Sequence, residues 1–445
     1  MAEVKEELRL TKEELRVTKE ELRVVKEENG ILKQQIAELA HRKGSHNSSL
    51  PPSIDLYRNT KSLRQHSNKR SGGQTGHEGK TLSFSSAPNE VIDHIATYCP
   101  DCGLAYTDTP KLKDRRQVVD IPPIVAFYTE HRVYERSCLC GKCNVSDFPQ
   151  DVKSPISYGS GVETLCAYFS ARQYISISRI QELFADVFNI PMSEGTIVSK
   201  IKSFAVKCSP LYDIIRGRVE ASTCIGTDET GCRVKGQLYW MWTWQTTLLT
   251  YIVASANRGY DTISKNFANG FKNGILVHDC WKAHFNTHAK GHQICLVHIL
   301  RELQYFIEKR NKWAYDLSQL IYKAMALKKK MQLNPNEDYN QKVRQIHINK
   351  DKLLHITTES KDKKLLALIK RLNKYDQYLL TFLKVMEVPP DNNTSEQAIR
   401  NVKVKLKVSG LFRTDDGASQ YAIIRSVIDT ALKNNANVLN VLTLV

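Results

Sequence analysis

Three acidic residues lie far apart in the chain, in contexts able to deliver carboxylates to one place. Asp228 sits in Cys-Ile-Gly-Thr-Asp-Glu-Thr, Asp279 in Leu-Val-His-Asp-Cys-Trp, and Glu396 in Asp-Asn-Asn-Thr-Ser-Glu-Gln-Ala-Ile-Arg. Taken singly, each reads as a helix cap or a solvated charge. Together they suit metal-assisted cutting and joining of phosphodiesters, in which paired divalent ions stabilise the attacking and leaving oxygens.

The elements that must carry these acids follow from the local pattern. Asp228 and Asp279 each close a short apolar, β-like run (224–227 and 274–278), so both are expected at strand ends where a carboxylate leaves a sheet. Glu396 falls in the first turn of a helix, with Asn393 or Thr394 available as N-cap. Spacings of three and four residues stack on a helix, so Glu396, Arg400 and Lys403 share one face, and the two cations are expected to contact a DNA backbone. His298 and Arg301, i to i+3 on a helix, are expected as supporting residues near a scissile phosphate. Runs at 238–244 and 247–254 add further strands, with Trp240, Trp242 and Trp244 packing a sheet face. A Lys-rich, mostly helical stretch from 296 to about 385 precedes Glu396. Strands followed by helices suit an α/β sheet with a helical insertion.

Upstream, residues 158–215 read as helical. Segments at 161–174 and 178–188 are followed by a turn with Ser193 as N-cap and a third helix through Val206. This resembles a helix-turn-helix, although a helical connector packed on the next domain fits nearly as well.

Five of the eleven cysteines cluster between Cys99 and Cys143. Cys99-x2-Cys102 and Cys140-x2-Cys143, each with a glycine-bearing turn, supply four thiolates, the preferred structural zinc shell. Cys138 is an alternate ligand, so which two of Cys138, Cys140 and Cys143 bind stays open. Short β-like segments at 92–95 and 127–134 are expected around the site. The scattered remainder is no disulfide framework and fits a reducing compartment.

The N-terminus repeats every seven residues. Leu8, Leu15, Leu22, Asn29 and Ile36 share one core position; Thr11, Thr18, Val25, Leu32 and Leu39 share the other. This is a coiled-coil pattern for a homo-oligomer, with Asn29 able to fix register. Residues 45–90 then turn basic and rich in Gly and Ser, as an extended arm along phosphates.

A net charge of +17 and a pI near 9.3 point to a polyanionic partner, most often nucleic acid. A mean hydropathy of −0.40, with no membrane-length apolar run and no apolar signal core, predicts a cytoplasmic protein. The expected layout is a coiled coil (1–44), a basic DNA-binding arm (45–90), a zinc ribbon (91–150), a helix-turn-helix-like module (151–216) and an α/β catalytic domain (217–445) with its insertion at 296–385.

Ordered motifs from about Ser45 to Val427 carry a resemblance. They include Asn47-Ser48-Ser49-Leu50-Pro51-Pro52-Ser53, Gly72-Gly73-Gln74-Thr75-Gly76-His77-Glu78-Gly79, the cysteine module, Asp120-Ile121-Pro122-Pro123 and Tyr158-Gly159. They continue with Asp228-Glu229-Thr230, His278-Asp279-Cys280-Trp281-Lys282, Cys295-Leu296-Val297-His298-x2-Arg301-Glu302, Val388-Pro389-x-Asp391-Asn392-Asn393-x2-Glu396 and Lys407-Val408-Ser409-Gly410-Leu411-Phe412-Arg413. The chain resembles the transposases of the insertion-sequence 66 family, a group of DDE transposases of bacterial mobile elements. The resemblance implies an RNase H-like core with a helical insertion, a catalytic triad of Asp228, Asp279 and Glu396, and Lys403 in the family's downstream basic position. It implies Mg²⁺ (or Mn²⁺) in a two-metal site, structural Zn²⁺, and binding to the element's terminal inverted repeats and to target DNA. Homo-oligomers, accessory proteins of the same element and a nucleoid-associated location in bacteria accompany this reading. Two departures are Gln397, where the family commonly has Arg, and an expected shortening of the C-terminal extension. The alternative is a regulator or nuclease of the same fold without strand transfer.

Overall fold

The computed structural model describes residues 13, 15–26, 28, 29, 76, 82–150, 152, 154–355 and 362–445. Within the heptad region the described residues are helical, and Leu15, Leu22 and Val25 are exposed. Leu8, Thr11, Leu32, Ile36 and Leu39 lie outside the described residues, as does most of the basic arm. No described helix is long and apolar enough to cross a membrane.

The chain forms two compact units. The larger takes in 148–181 and 192–445 and holds a five-stranded mixed sheet in the order β5-β4-β3-β6-β7. Its strands are β3 (Cys224–Val234), β4 (Gln237–Gln245), β5 (Thr250–Ser255), β6 (Phe271–His278) and β7 (Ala289–Ile294). β3, β4 and β5 form an antiparallel meander, whereas β3, β6 and β7 run parallel. β4 is built from Trp, Tyr, Met and Thr, residues that fit a pleated, packed surface. β6 buries Ile275, Leu276 and Val277 consecutively, as a parallel strand covered on both faces does.

β3 is longer than its apolar run suggests. Asp228 lies inside the strand rather than at its end, because pairing with β4 continues to Val234. The parallel ladder to β6, however, stops at Gly226. Asp228 therefore sits two residues past the point where β3 outruns β6, with the β6 side of its backbone vacated. β7 has no counterpart in the sequence-based reading: Ala-Lys-Gly-His-Gln-Ile is too polar to announce a strand.

The sheet separates two cores. One gathers Ile225, Trp242, Trp244, Phe267, Phe271 and the helix Asp415–Lys433. The other joins Ile275, Val277 and Ile294 to helices Leu296–Glu308, Lys312–Leu333, Asn340–Leu354 and Lys363–Lys374, which fill the expected insertion. Gln293 fastens that insertion to β7: its amide accepts from Phe382 N (2.8 Å) and donates to Leu379 O (3.1 Å).

Ser193 caps the helix Glu194–Glu220, its hydroxyl accepting from Thr196 N at 3.1 Å. The helix does not stop near Val206. It runs through Pro210 and buries Phe204, Ala205, Cys208, Ile215 and Val219 in the sheet's core. It thus buttresses the sheet, as the connector alternative expects.

The smaller unit takes in 64–147 and 182–191. Its described strands are β1 (Glu135–Ser137) and β2 (Cys143–Val145), paired antiparallel. The segments 92–95 and 127–134 form no strands, and Ile92, Ile95, Phe127 and Tyr128 are exposed. Without a buried face to fix their register, alternating residues have no sheet to join.

Candidate metal-binding active site

Three elements carry the acids into one neighbourhood, although among the described residues their carboxylate oxygens do not form a group within 4.8 Å of one another. Side chains alternate along a strand, so Asp228 points to the same face of β3 as Gly226. That face receives the helix Asn393–Ser409, which carries Glu396 in its first turn. Asp279 follows the last residue of β6, the neighbouring strand. Burial, followed by the negative charges of Glu229, Asp279 and Glu396, holds the Asp228 carboxyl well above the usual carboxylate range. Both other members of the expected triad are thus felt at Asp228.

The Glu396 helix is anchored through Asn392. This residue, rather than Asn393 or Thr394, is the N-cap, and its side chain makes no capping bond. Its amide instead donates to Thr227 O on β3 (2.8 Å) and accepts from Ser395 Oγ (2.5 Å). Gly226 makes room for this lock: a Cβ there would meet Ser395 Oγ at 2.6 Å and Asn392 Oδ1 at 2.8 Å. Gly226→Ala is expected to cost about 1–3 kcal/mol by overpacking. Displacing Glu396 by about 1 Å should also slow catalysis by about 10²-fold. Denaturant unfolding and a DNA-cleavage assay check both; wild-type values in the variant would remove the lock from the site.

Asp279 is fixed by its own turn. Its Oδ1 accepts from Trp281 N at 2.9 Å, and His284 Nε2 lies 3.8 Å away. Its carbonyl meets His278 Nδ1, and His278 Nε2 lies 3.0 Å from His292 Nδ1. Burial pushes both imidazoles down, His292 to about 4, so they stay neutral packing groups.

On the opposite face of β3 lies an ion cluster that sequence reasoning missed. Glu229, directly opposite Trp242, accepts from Arg258 Nε at 3.0 Å, and His284 Nε2 lies 3.2 Å from its other oxygen. The Arg258 guanidinium is sandwiched between Trp240 and Trp281, 4.5 and 4.1 Å from their ring centroids. The adjacent acids Asp228 and Glu229 were the available signal, since alternation must send them to opposite faces. Trp242 and Trp244 are buried, as expected of residues packing a sheet face.

The remaining predicted residues divide. His298 and Arg301 do approach the cluster, with Nε2 and a guanidinium nitrogen 4.0 and 3.8 Å from Glu396 Oε1. That oxygen is buried without a hydrogen-bond partner. Arg400 is exposed, while Lys403 donates to Gly231 O on β3 at 3.1 Å. An orphaned carboxylate oxygen beside mutually repelling acids is the donor chemistry a divalent cation fits.

In the smaller unit, Cys99 and Cys138 open similar turns. Gly103 N donates to Cys99 O and Gly141 N to Cys138 O, both at 2.9 Å, with the glycines at φ +75° and +80°. Backbone N–H groups of Asp101 and Cys102 lower the Cys99 thiol to about 7, and that of Cys140 lowers Cys138. Cys143 lies instead on β2, its thiol donating to Glu135 Oε1 at 2.5 Å. Among the described residues these cysteines do not converge into one group of three or more ligands.

Comparison with known proteins completes the picture. None of the curated proteins matches the chain significantly. A family of unknown function matches residues 4–83. The model of the family described as "Transposase IS66 family" matches residues 156–420, spanning the sheet, the helical insertion and all three acids, so the chain belongs to the IS66 transposase family.

Proposed function

We propose that this transposase cuts DNA at the ends of an insertion sequence and joins the freed 3′-hydroxyl to target DNA, with Asp228, Asp279 and Glu396 as its catalytic acids. The observation that supports this reading is that Asp279, at the end of β6, and Glu396, on the helix Asn393–Ser409, both act electrostatically on Asp228 of β3. The sheet order, a meander flanked by two parallel strands, supports an RNase H-like core.

The three carboxylates would hold a pair of divalent cations, Mg²⁺ or Mn²⁺. When bound, these would stabilise the attacking and leaving oxygens and need no covalent enzyme intermediate. The protein's own residues set the stage. Asn392 and Ser395 hold Glu396 against β3, and Trp281 N orients the Asp279 carboxylate. Arg301, close to the cluster, is placed to bind a phosphate oxygen by a charge-assisted hydrogen bond.

The outer modules complete the proposal. The heptad helix would pair subunits, and so two element ends, with accessory proteins of the element assisting. The basic arm, the cysteine module and Arg400 would hold DNA backbone, as would Lys403 on releasing Gly231. Structural zinc would bind Cys99 and Cys102 with two of Cys138, Cys140 and Cys143; the matching turns favour Cys138 and Cys140. A reducing cytoplasm and the nucleoid suit such a site.

A strand-transfer assay with Mg²⁺ and end-sequence DNA tests the reading. Joined products are expected from the wild type and none from Asp279→Ala. Cutting without joining would make the protein a nuclease, and unchanged joining by Asp279→Ala would overturn the triad.

A further inference from the structure

We propose that Cys295, His298 and Glu396 form a second cation site, for a thiophilic divalent ion of the zinc class, which shares Glu396 with the acidic cluster. The Cys295 thiol, the His298 imidazole and a Glu396 carboxylate oxygen all lie within 4.8 Å of one another. Among the described residues no other group of three potential ligands is so gathered. Cys295 immediately precedes the helix Leu296–Glu308, and His298 stands in its first turn, so both project from one helix start.

Backbone hydrogen bonds frame the site. Cys295 N donates to His278 O at 2.8 Å, Leu296 N to Pro390 O at 2.9 Å, and Asn392 N to the Cys295 sulfur at 3.3 Å. These bonds tie the end of β6, the start of one helix and the start of the Glu396 helix to a single point. Glu396 Oε1, 4.0 Å from His298 Nε2, is buried and makes no hydrogen bond, and the other ring nitrogen of His298, Nδ1, is likewise buried without one. The thiol itself is fully buried. A buried polar atom left unpaired is costly, and a bound ion removes that cost.

The donor set selects the ion. Thiolate, imidazole and carboxylate together suit zinc, whereas magnesium takes oxygen ligands and keeps its waters. Asp228 and Asp279 contribute only oxygen and lie outside the set. Binding forms a metal–sulfur bond as the thiol proton leaves for solvent, so affinity rises with pH. Arg301, 3.8 Å from Glu396 Oε1, sets a positive charge beside the ion and weakens its hold. The site is therefore an exchangeable regulatory one rather than a permanent structural one. On the reading of Glu396 as a catalytic ligand, zinc bound here withdraws that carboxylate from magnesium and inhibits cleavage.

Equilibrium dialysis of the full chain against zinc, with magnesium in excess, reads the site directly. Wild type is expected to hold one zinc more per chain than Cys295→Ser or His298→Ala. A Cys99→Ser variant, altered only in the cysteine module, is expected to retain this extra zinc. Each ligand substitution should weaken zinc binding by at least the 10–100-fold that loss of an outer-shell partner costs. Replacing zinc with cobalt should give a thiolate-to-cobalt absorption band that weakens in Cys295→Ser. Should Cys295→Ser fail to fold, as judged by circular dichroism, His298→Ala supplies the same count. Equal zinc counts in wild type and both variants would overturn the site. Added zinc should suppress magnesium-dependent cleavage in wild type far more than in Cys295→Ser. Equal suppression would overturn the shared use of Glu396. Absence of any magnesium-dependent cleavage would count against the transposase reading alone, because the zinc difference is measured independently of it.

Discussion

Asp228→Asn is expected to slow DNA cleavage by about 10³-fold and, at alkaline pH, to raise the melting temperature of the metal-free protein. Burial and the charges of Glu229, Asp279 and Glu396 raise the pKa of this carboxyl well above the usual carboxylate range. An unfolded chain releases the carboxyl proton near the ordinary aspartate value of about 3.9. A group whose folded pKa is raised contributes stability that is fully present below the unfolded value and is lost as pH rises through the folded one. At alkaline pH the metal-free wild type therefore carries an unrelieved repulsion that the asparagine variant lacks. Each kcal/mol so recovered shifts melting by roughly 2–4 °C in a domain of about 150–250 residues. The cost in function is larger. Losing a metal ligand removes several kcal/mol of transition-state stabilisation, or about 10³-fold in rate.

Protons and cations compete for the same carboxylate, so magnesium-dependent cleavage should rise with pH through the raised Asp228 value. Magnesium should also stabilise wild type more at alkaline than at acid pH, and stabilise the variant hardly at all. Scanning fluorimetry with and without magnesium, beside a cleavage assay, reads all of these. A variant that melts lower than wild type at alkaline pH without metal, or that cuts at the wild-type rate, would sink the assignment.

The three acids stand out in the sequence because each lies at a change of pattern, where an apolar run or a loop gives way to another element. Their carriers stand out less. Asp228 lies mid-strand, since the antiparallel partner β4 extends β3 beyond its apolar stretch, and only tertiary pairing reveals that. β7 escaped for the same reason: its polar residues form a strand because β6 offers a ladder. The Asn392 lock was hidden because asparagine before a helix ordinarily caps it, whereas here the amide reaches across to Thr227. The Glu229–Arg258–His284 cluster joins residues up to 55 positions apart, which no local spacing can announce.

That cluster carries the second large effect. Arg258→Ala is expected to destabilise the protein by about 3 kcal/mol, the low end for stranding a buried charge, because Arg258 is itself partly exposed. Burial alone would raise the Glu229 carboxyl, but His284 and Arg258 hold it below the usual range. The stability it contributes is thus present above the ordinary glutamate value and lost as pH falls through the depressed one. Removing Arg258 leaves only His284 to hold the charge. It also takes away the group stacked on Trp281, whose backbone N–H holds the Asp279 carboxylate. A shift of about 1 Å there is worth about 10²-fold in rate, so cleavage should fall although Arg258 touches none of the three acids. Arg258→Lys should rescue little, because an ammonium neither stacks flat between Trp240 and Trp281 nor presents Glu229 with the rigid planar pair of N–H groups that the guanidinium supplies. The stability loss belongs to the pair, so Arg258→Ala made in a Glu229→Gln background should cost far less than in wild type. Equal costs in the two backgrounds, measured by urea unfolding, would show that Arg258 acts through packing alone and leave Glu229 without its counter-charge.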